Sequence, residues 1–175
     1  MEGHDDIWFT YATPRYAFVT WLGIKNRLAT GERMIKWKQS ANPSCILCND
    51  PMETRDHLFF ECSYSRRVWE ALAGGLLLDK FTTRLIEIRK IMAEKEIDKT
   101  KRFLIRYVFQ NTLHSIWRER NSRKHGENPS IPEKLVRMID KNIRNRMSAI
   151  SREGDERYGG GLLLYRDEIS DRVSM

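Results

Sequence analysis

All three cysteines of the chain lie in one stretch, CILCNDPMETRDHLFFEC at residues 45–62, together with one of its four histidines. Cys45 and Cys48 form a C-x2-C pair, His57 follows after eight residues, and Cys62 comes after four more. Zinc favours four tetrahedral ligands drawn from thiolate and imidazole. A tight turn can bring a C-x2-C pair onto one ion, and His-x4-Cys supplies the other two donors from a second turn or short helix. Four protein ligands leave no open coordination position, so this spacing predicts a structural Zn2+ rather than a catalytic one. Asn49, Asp50 and Pro51 supply turn chemistry behind the first pair. Asp56 and Glu61 are the candidate acceptors around the ligands. The competing reading is three buried cysteines and a hydrogen-bonded histidine; the clustering and spacing favour the metal. His114 and His125 lie far along the chain and are not expected as ligands. Phe59-Phe60, between the ligands, reads as packing for a small core, with base stacking as the alternative.

The elements that position these residues read as helices. From Pro14, which suits a first turn, Ala17, Trp21, Ile24 and Leu28 recur on one helical face, with Lys25, Asn26 and Arg27 mostly off it. Thr30 then caps a short helix with Met34 and Trp37 inward, and SANPS breaks the chain before Cys45. Val68, Trp69 and Leu72 mark a helix that Gly74-Gly75 should stop. Leu85, Ile88 and Met92 align on another. The longest candidate runs over 99–124, where Ile105, Phe109, Leu113 and Ile116 keep the period and Val108 and Trp117 widen the stripe. Ser130-Ile131-Pro132-Glu133 reads as a capping box, followed by Leu135, Ile139, Ile143, Met147 and Ile150 on one face. GGG at 159–161 and the polar residues beyond suggest a flexible end. Strand signals are almost absent. The expected fold is mainly α: a small zinc-stapled helical module (8–75), a basic extension of long amphipathic helices (76–152) and a flexible tail (153–175). Trp21, Trp37, Trp69 and Trp117 all lie on apolar faces and are expected in the core.

Bulk properties narrow the function. The chain has 175 residues, 41% hydrophobic and 31% charged, enough for one polar domain whose modest core a metal or a partner can supplement. No apolar run reaches the roughly 18 residues of a membrane span, and MEGHDD is acidic with no signal core after it. An intracellular protein, nuclear or cytoplasmic, is expected, in which clustered cysteines are thiolate ligands and not disulfides. The net charge is +7, which suggests an anionic partner, nucleic acid being the commonest. Residues 99–152 hold 14 Lys and Arg against 4 Asp and Glu, a net +10, so the remainder carries −3. Lys134, Arg137, Lys141 and Arg144 recur along one helical face, and Arg118, Arg120, Arg123 and Lys124 add a second cluster. Such surfaces attract phosphates of RNA or DNA with little sequence preference; a solvated helix face is the alternative reading. These faces lack the aromatic rim of a membrane-binding helix.

RLATGERMIKW leading to CILC, then ETRDHLFFEC and VW, resembles the zinc-binding domain downstream of the polymerase in plant non-LTR retrotransposon reverse transcriptases. The likeness extends upstream through PRYAFVTWLGIKNRLATGERM and covers about residues 8–73. RFLIRYVFQNTLHSIWRERNSRKHG is also similar to segments that follow that domain. The resemblance implies that Cys45, Cys48, His57 and Cys62 are the zinc ligands, and that the module holds template RNA or target DNA near a polymerase. The polymerase's paired metal-binding aspartates are not matched: Asp5-Asp6 is the one adjacent pair, with no strand pattern around it. The expectation is a detached C-terminal piece of such an element, or a gene derived from one, that is not itself an enzyme. It binds nucleic acid non-specifically or, alternatively, acts as a zinc-stabilised scaffold with a protein partner or self-association.

Overall fold

The computed structural model describes the backbone of residues 6–173 and the side chains of residues 6–167. Seven α-helices carry the fold, and no strand occurs among the described residues. The long helix α5 (Lys99–Lys124) is the element on which the others assemble. Asp98 caps it by accepting from the backbone N–H groups of Thr100 and Lys101 at 2.8 and 3.1 Å, which satisfies donors that the first turn leaves orphaned. Arg123 and Lys124 in its last turn complement the helix dipole. Helices α1 (Pro14–Ile24), α3 (Ser63–Leu77) and α6 (Pro132–Arg152) pack along it, with α7 (Gly161–Val173) laid on α3 and α6. Two short helices, α2 (Gly31–Trp37) and α4 (Leu85–Ala93), complete the set.

The expected apolar stripe of α5 is buried as read, but so are Gln110, Asn111, Thr112 and Ser115 outside it. The N-terminal segment covers Gln110, which donates to the Ile7 carbonyl at 2.6 Å. The buried apolar residues form one continuous cluster from Tyr16 to Tyr165. The cysteine region and the long helices therefore share a core.

Several local expectations are corrected by tertiary packing. Helix α1 ends at Ile24, and Asn26 has a φ of +51°. Its buried side is Tyr16, Ala17, Thr20 and Gly23. The helix is apolar almost all round, so the period cannot choose a face. The small residues let it approach, with Leu28, Phe59 and Leu113 at 3.6–3.8 Å from where a Gly23 Cβ would lie. Trp21 is consequently half-buried and stacks on Phe18, which is 53% exposed. Trp37 is 64% exposed beneath the Arg33 guanidinium, not in the core. Trp117 is half-buried under Arg120. Trp69 alone of the four is fully buried.

Helix α3 runs through Gly74-Gly75 to Leu77, because Leu72, Ala73, Leu76 and Leu77 are all buried. That packing outweighs a penalty of about 1 kcal/mol per glycine. Ser130 does not cap α6: Ile131 occupies that position without a side-chain bond. Ser130 is instead held by its backbone, its N–H on Glu119 and its carbonyl accepting from Tyr64 and Arg123. The segment expected as a flexible tail forms α7, whose Tyr165 is fully buried and donates to Asp140 at 3.1 Å. Its apolar Leu162, Leu164 and Tyr165 join the core.

His114 packs at 4.6 Å from the Tyr16 ring, and burial, helped by Arg15 and Arg118, lowers its pKa to about 4. Between the ordinary value near 6.5 and 4, the unfolded chain binds a proton that the folded chain refuses. Stability is therefore full above about pH 6.5 and falls as pH drops toward 4. Allowing for partial exposure, the loss is up to about 2 kcal/mol. Thermal melts of wild type and His114→Phe across this window should diverge, with the variant less pH-dependent.

Candidate metal centre

Two local structures bring the four donors together. The first is the tight turn at Cys45–Asp50. The Asn49 N–H donates to the Cys45 carbonyl at 2.7 Å, and the Cys45 N–H to the Asp50 carbonyl at 2.8 Å. Asn49 takes a φ of +66° to close it, a conformation that asparagine tolerates better than most residues. The second is a wide turn over His57–Glu61, closed by the Cys62 N–H donating to the His57 carbonyl at 2.7 Å. In a regular α-helix, residues five apart point about 140° away from each other. A turn closed from i to i+5 brings them back to one side. This turn accommodates the x4 spacing between histidine and cysteine.

The result is a compact donor set. Cys45 Sγ lies 3.9 Å from Cys62 Sγ, and Cys48 Sγ lies 3.2 Å from His57 Nε2. All four donor atoms fall within 4.8 Å of one another, with Cys45 and Cys62 buried. A zinc tetrahedron with its usual bond lengths has edges of about 3.8 Å between sulfurs and about 3.5 Å between sulfur and nitrogen. The donor types, number and spacing fit structural Zn2+, and no other cluster of this kind occurs among the described residues. With four protein donors the ion's role here is to hold the chain.

The surroundings favour thiolate at Cys62, whereas burial raises the Cys48 pKa. The Cys45 thiol hydrogen-bonds Cys62, which lowers the Cys62 pKa to about 5, and the N–H groups of Ser65 and Tyr64 assist. Cys45 is pushed up in turn, by that bond and by burial. Backbone N–H groups of Leu47 and Cys48 face the Cys45 sulfur. Burial lowers the Lys124 pKa; Cys45 and Glu53 lie close enough to act on it in the opposite direction. Three thiolates around one divalent ion leave net negative charge, which a neighbouring cation complements. Asp56, one expected acceptor, pairs with Arg55 at 2.8 Å instead, and Glu61 is exposed.

Glu53, in the loop between the two ligand pairs, was not singled out by its sequence. It is fully buried and receives Arg120 of α5 through Nε at 3.1 Å and through a terminal nitrogen at 2.6 Å. The same carboxylate accepts from the Gly31 N–H at 3.0 Å, and its carbonyl from the Glu32 N–H at 3.0 Å. Glu53 therefore caps α2. Thr30, the expected cap, makes no such bond. A Cβ on Gly31 would fall 2.1 Å from the Pro43 carbonyl oxygen, so the loop crosses there only over glycine. No sequence signal marked Glu53, since its partner lies 67 residues away.

The eight residues expected at phosphates separate. Arg118, Lys134, Arg137 and Lys141 are exposed. Arg120 is 3% exposed, so its assignment to a phosphate-facing surface is corrected: it neutralises Glu53 instead. Arg123 is turned inward onto Glu119, the Ser130 carbonyl and the Tyr64 ring. Lys124 is half-buried beside Met34. Arg144 pairs with Asp140 at 2.8 Å. His125 is exposed at the end of α5, and neither it nor His114 joins the donor set. Phe59 and Phe60 are buried; Phe60 stacks parallel to Phe109 and meets Trp69 edge-on, which excludes base stacking there.

Cys62→Ser removes a donor and should take zinc content from one ion per chain toward zero. It should also lower the melting temperature by well over about 5 °C, at about 2–4 °C per kcal/mol for a chain of this size. Metal analysis and thermal unfolding check both; wild-type zinc and melting in the variant would refute the donor set. Arg120→Met strands a buried carboxylate and should cost about 3–5 kcal/mol in denaturant unfolding. Arg120→Met with Glu53→Gln should recover part of that loss.

No helix among the described residues is long and apolar enough to cross a membrane. No curated protein and no solved structure matches the chain. The family model described as zinc-binding in reverse transcriptase matches residues 2–69, a span that contains all four donors and ends within α3. Over residues 2–69 the chain is thus similar to the zinc-binding domain of reverse transcriptases, and the four donors lie within that similarity.

Proposed function

We propose that the chain is an intracellular, non-enzymatic nucleic-acid-binding module, stapled by zinc and derived from a retrotransposon reverse transcriptase. It contacts phosphates of RNA or single-stranded DNA without sequence preference. One observation carries this reading: Lys134, Arg137 and Lys141 stand exposed along α6, opposite the buried Leu135, Ile139 and Ile143. None of the three has an acidic partner among the described residues. An uncompensated row of cations is poised to exchange counterions for phosphates. Arg118 and Lys134 also share the lining of one cavity of about 450 Å³ between α5 and α6. The family match supports the same context, because a reverse transcriptase acts on nucleic acid.

The test is a salt series of RNA and single-stranded DNA binding by the zinc-loaded chain. Affinity should fall linearly in a log–log plot. Lys134→Gln, Arg137→Gln and Lys141→Gln together should reduce the slope by about 2, at about 0.7 per phosphate contact on a single strand. Absence of binding at low salt would refute the reading and favour a scaffold that is indifferent to polyanions.

A further inference from the structure

We propose that the outward face of α1 is a stacking platform for the unpaired bases of a single-stranded nucleic acid. The proposal rests on the nucleic-acid reading above and places the base contacts in the zinc-binding domain, away from the basic helices. Its starting point is the side α1 turns outward. Phe18 is 53% exposed, and Trp21 one turn later lies against it with ring centroids 6.1 Å apart and planes 24° from parallel. Val19 and Leu22 beside them are only half-buried. An exposed phenylalanine with a partly exposed tryptophan beside it, and no protein element over them among the described residues, offers aromatic surface to a partner.

Charge selects the partner. Arg15 and Lys25, one turn before and two turns after Phe18, are both exposed, and the Arg27 guanidinium lies 5.9 Å from the Trp21 ring centre. No Asp or Glu occurs between residues 7 and 31. Residues 14–38 hold six Lys and Arg against one Glu, and that residue, Glu32, is paired with Lys36. The nearby Asp56 is held by Arg55, whose guanidinium also donates to the Ile24 carbonyl that ends α1. Flat aromatic rings flanked by cations match a strand whose bases have π faces and whose backbone is anionic. In a duplex those faces are already stacked on each other, so the platform selects single strands. The exposure of Phe18 is decided by the small residues Ala17 and Gly23, which take the buried side of α1.

The test uses the full zinc-loaded chain with short labelled oligo(U) and oligo(dT), and a duplex of equal length for comparison. Phe18→Ala and Trp21→Ala should each weaken single-strand affinity about tenfold or more, the scale of a lost base–aromatic stack. The salt slope should stay unchanged, because no charge is removed, and Phe18→Tyr should restore binding. Zinc content and melting should match wild type. Wild-type affinity in both alanine variants, with the Lys134, Arg137 and Lys141 glutamine variant weakened, would overturn the platform and leave the nucleic-acid reading standing. Equal binding of duplex and single strand would also overturn it. No binding of any oligonucleotide by wild type at low salt would remove both. Should an alanine variant fail to fold, Trp21→Phe reads the same contact. Oligonucleotide should quench wild-type tryptophan emission more than that of Trp21→Phe, and equal fractional quenching overturns the platform.

Discussion

The pairing of Glu53 with Arg120 is the interaction around which this molecule is organised. Both side chains are almost wholly out of water, and each of the three guanidinium nitrogens has a partner. Nε and one terminal nitrogen meet Glu53, that nitrogen also reaches the Ala29 carbonyl at 2.8 Å, and the other meets Asn121 at 2.9 Å. A buried pair of this kind adds little net stability over an apolar replacement, yet half of it cannot be removed without leaving a bare charge inside. Its effect is to permit one docking of the metal loop on α5 and to penalise others. The same carboxylate starts α2, so a single charged group sets the loop, the short helix and the long helix relative to one another.

The metal site and the core are two sides of the same five-residue turn. His57 and Cys62 supply two of the four donors, while Leu58, Phe59 and Phe60 between them are buried. Phe60, Phe109 and Trp69 form one aromatic cluster that joins this turn to α5 and α3. Zinc binding and packing are therefore coupled: releasing the ion frees the turn, and with it the aromatic contacts that attach the domain to the long helices.

The basic charge of the chain divides into two populations. Several arginines are consumed inside the fold as clamps on backbone carbonyls. Arg102 and Arg106 donate to Glu94 and Met92 at the end of α4. Arg146 holds the Tyr11 carbonyl at 2.6 Å, and Arg123 holds that of Ser130. Carbonyls at helix ends and in loops lack partners of their own, and the planar, multi-donor guanidinium can satisfy them at a distance. Arg118, Lys134, Arg137 and Lys141 stay outside. Net charge counted along a sequence merges these populations, although only the exposed one can meet a polyanion.

The donor set, the structural character of the zinc, the mainly α fold and the long helix from Lys99 to Lys124 are determined by the amino-acid sequence alone. These features depend on residue spacing within a few turns, which a linear pattern records directly. The closed set of four donors needed only chemistry and count, and the row from Leu135 to Ile150 needed only the helical period. Tertiary structure decided the rest. It chose which side of the all-apolar α1 is buried, because only packing can compare the small Ala17–Gly23 side with the aromatic one. It carried α3 through a glycine pair and drew the C-terminal segment onto the core, where buried area outweighs local propensity. It found Glu53 for Arg120 across a separation that no local pattern spans. A buried charge is legible only when its partner is known, and the partner is set by the fold.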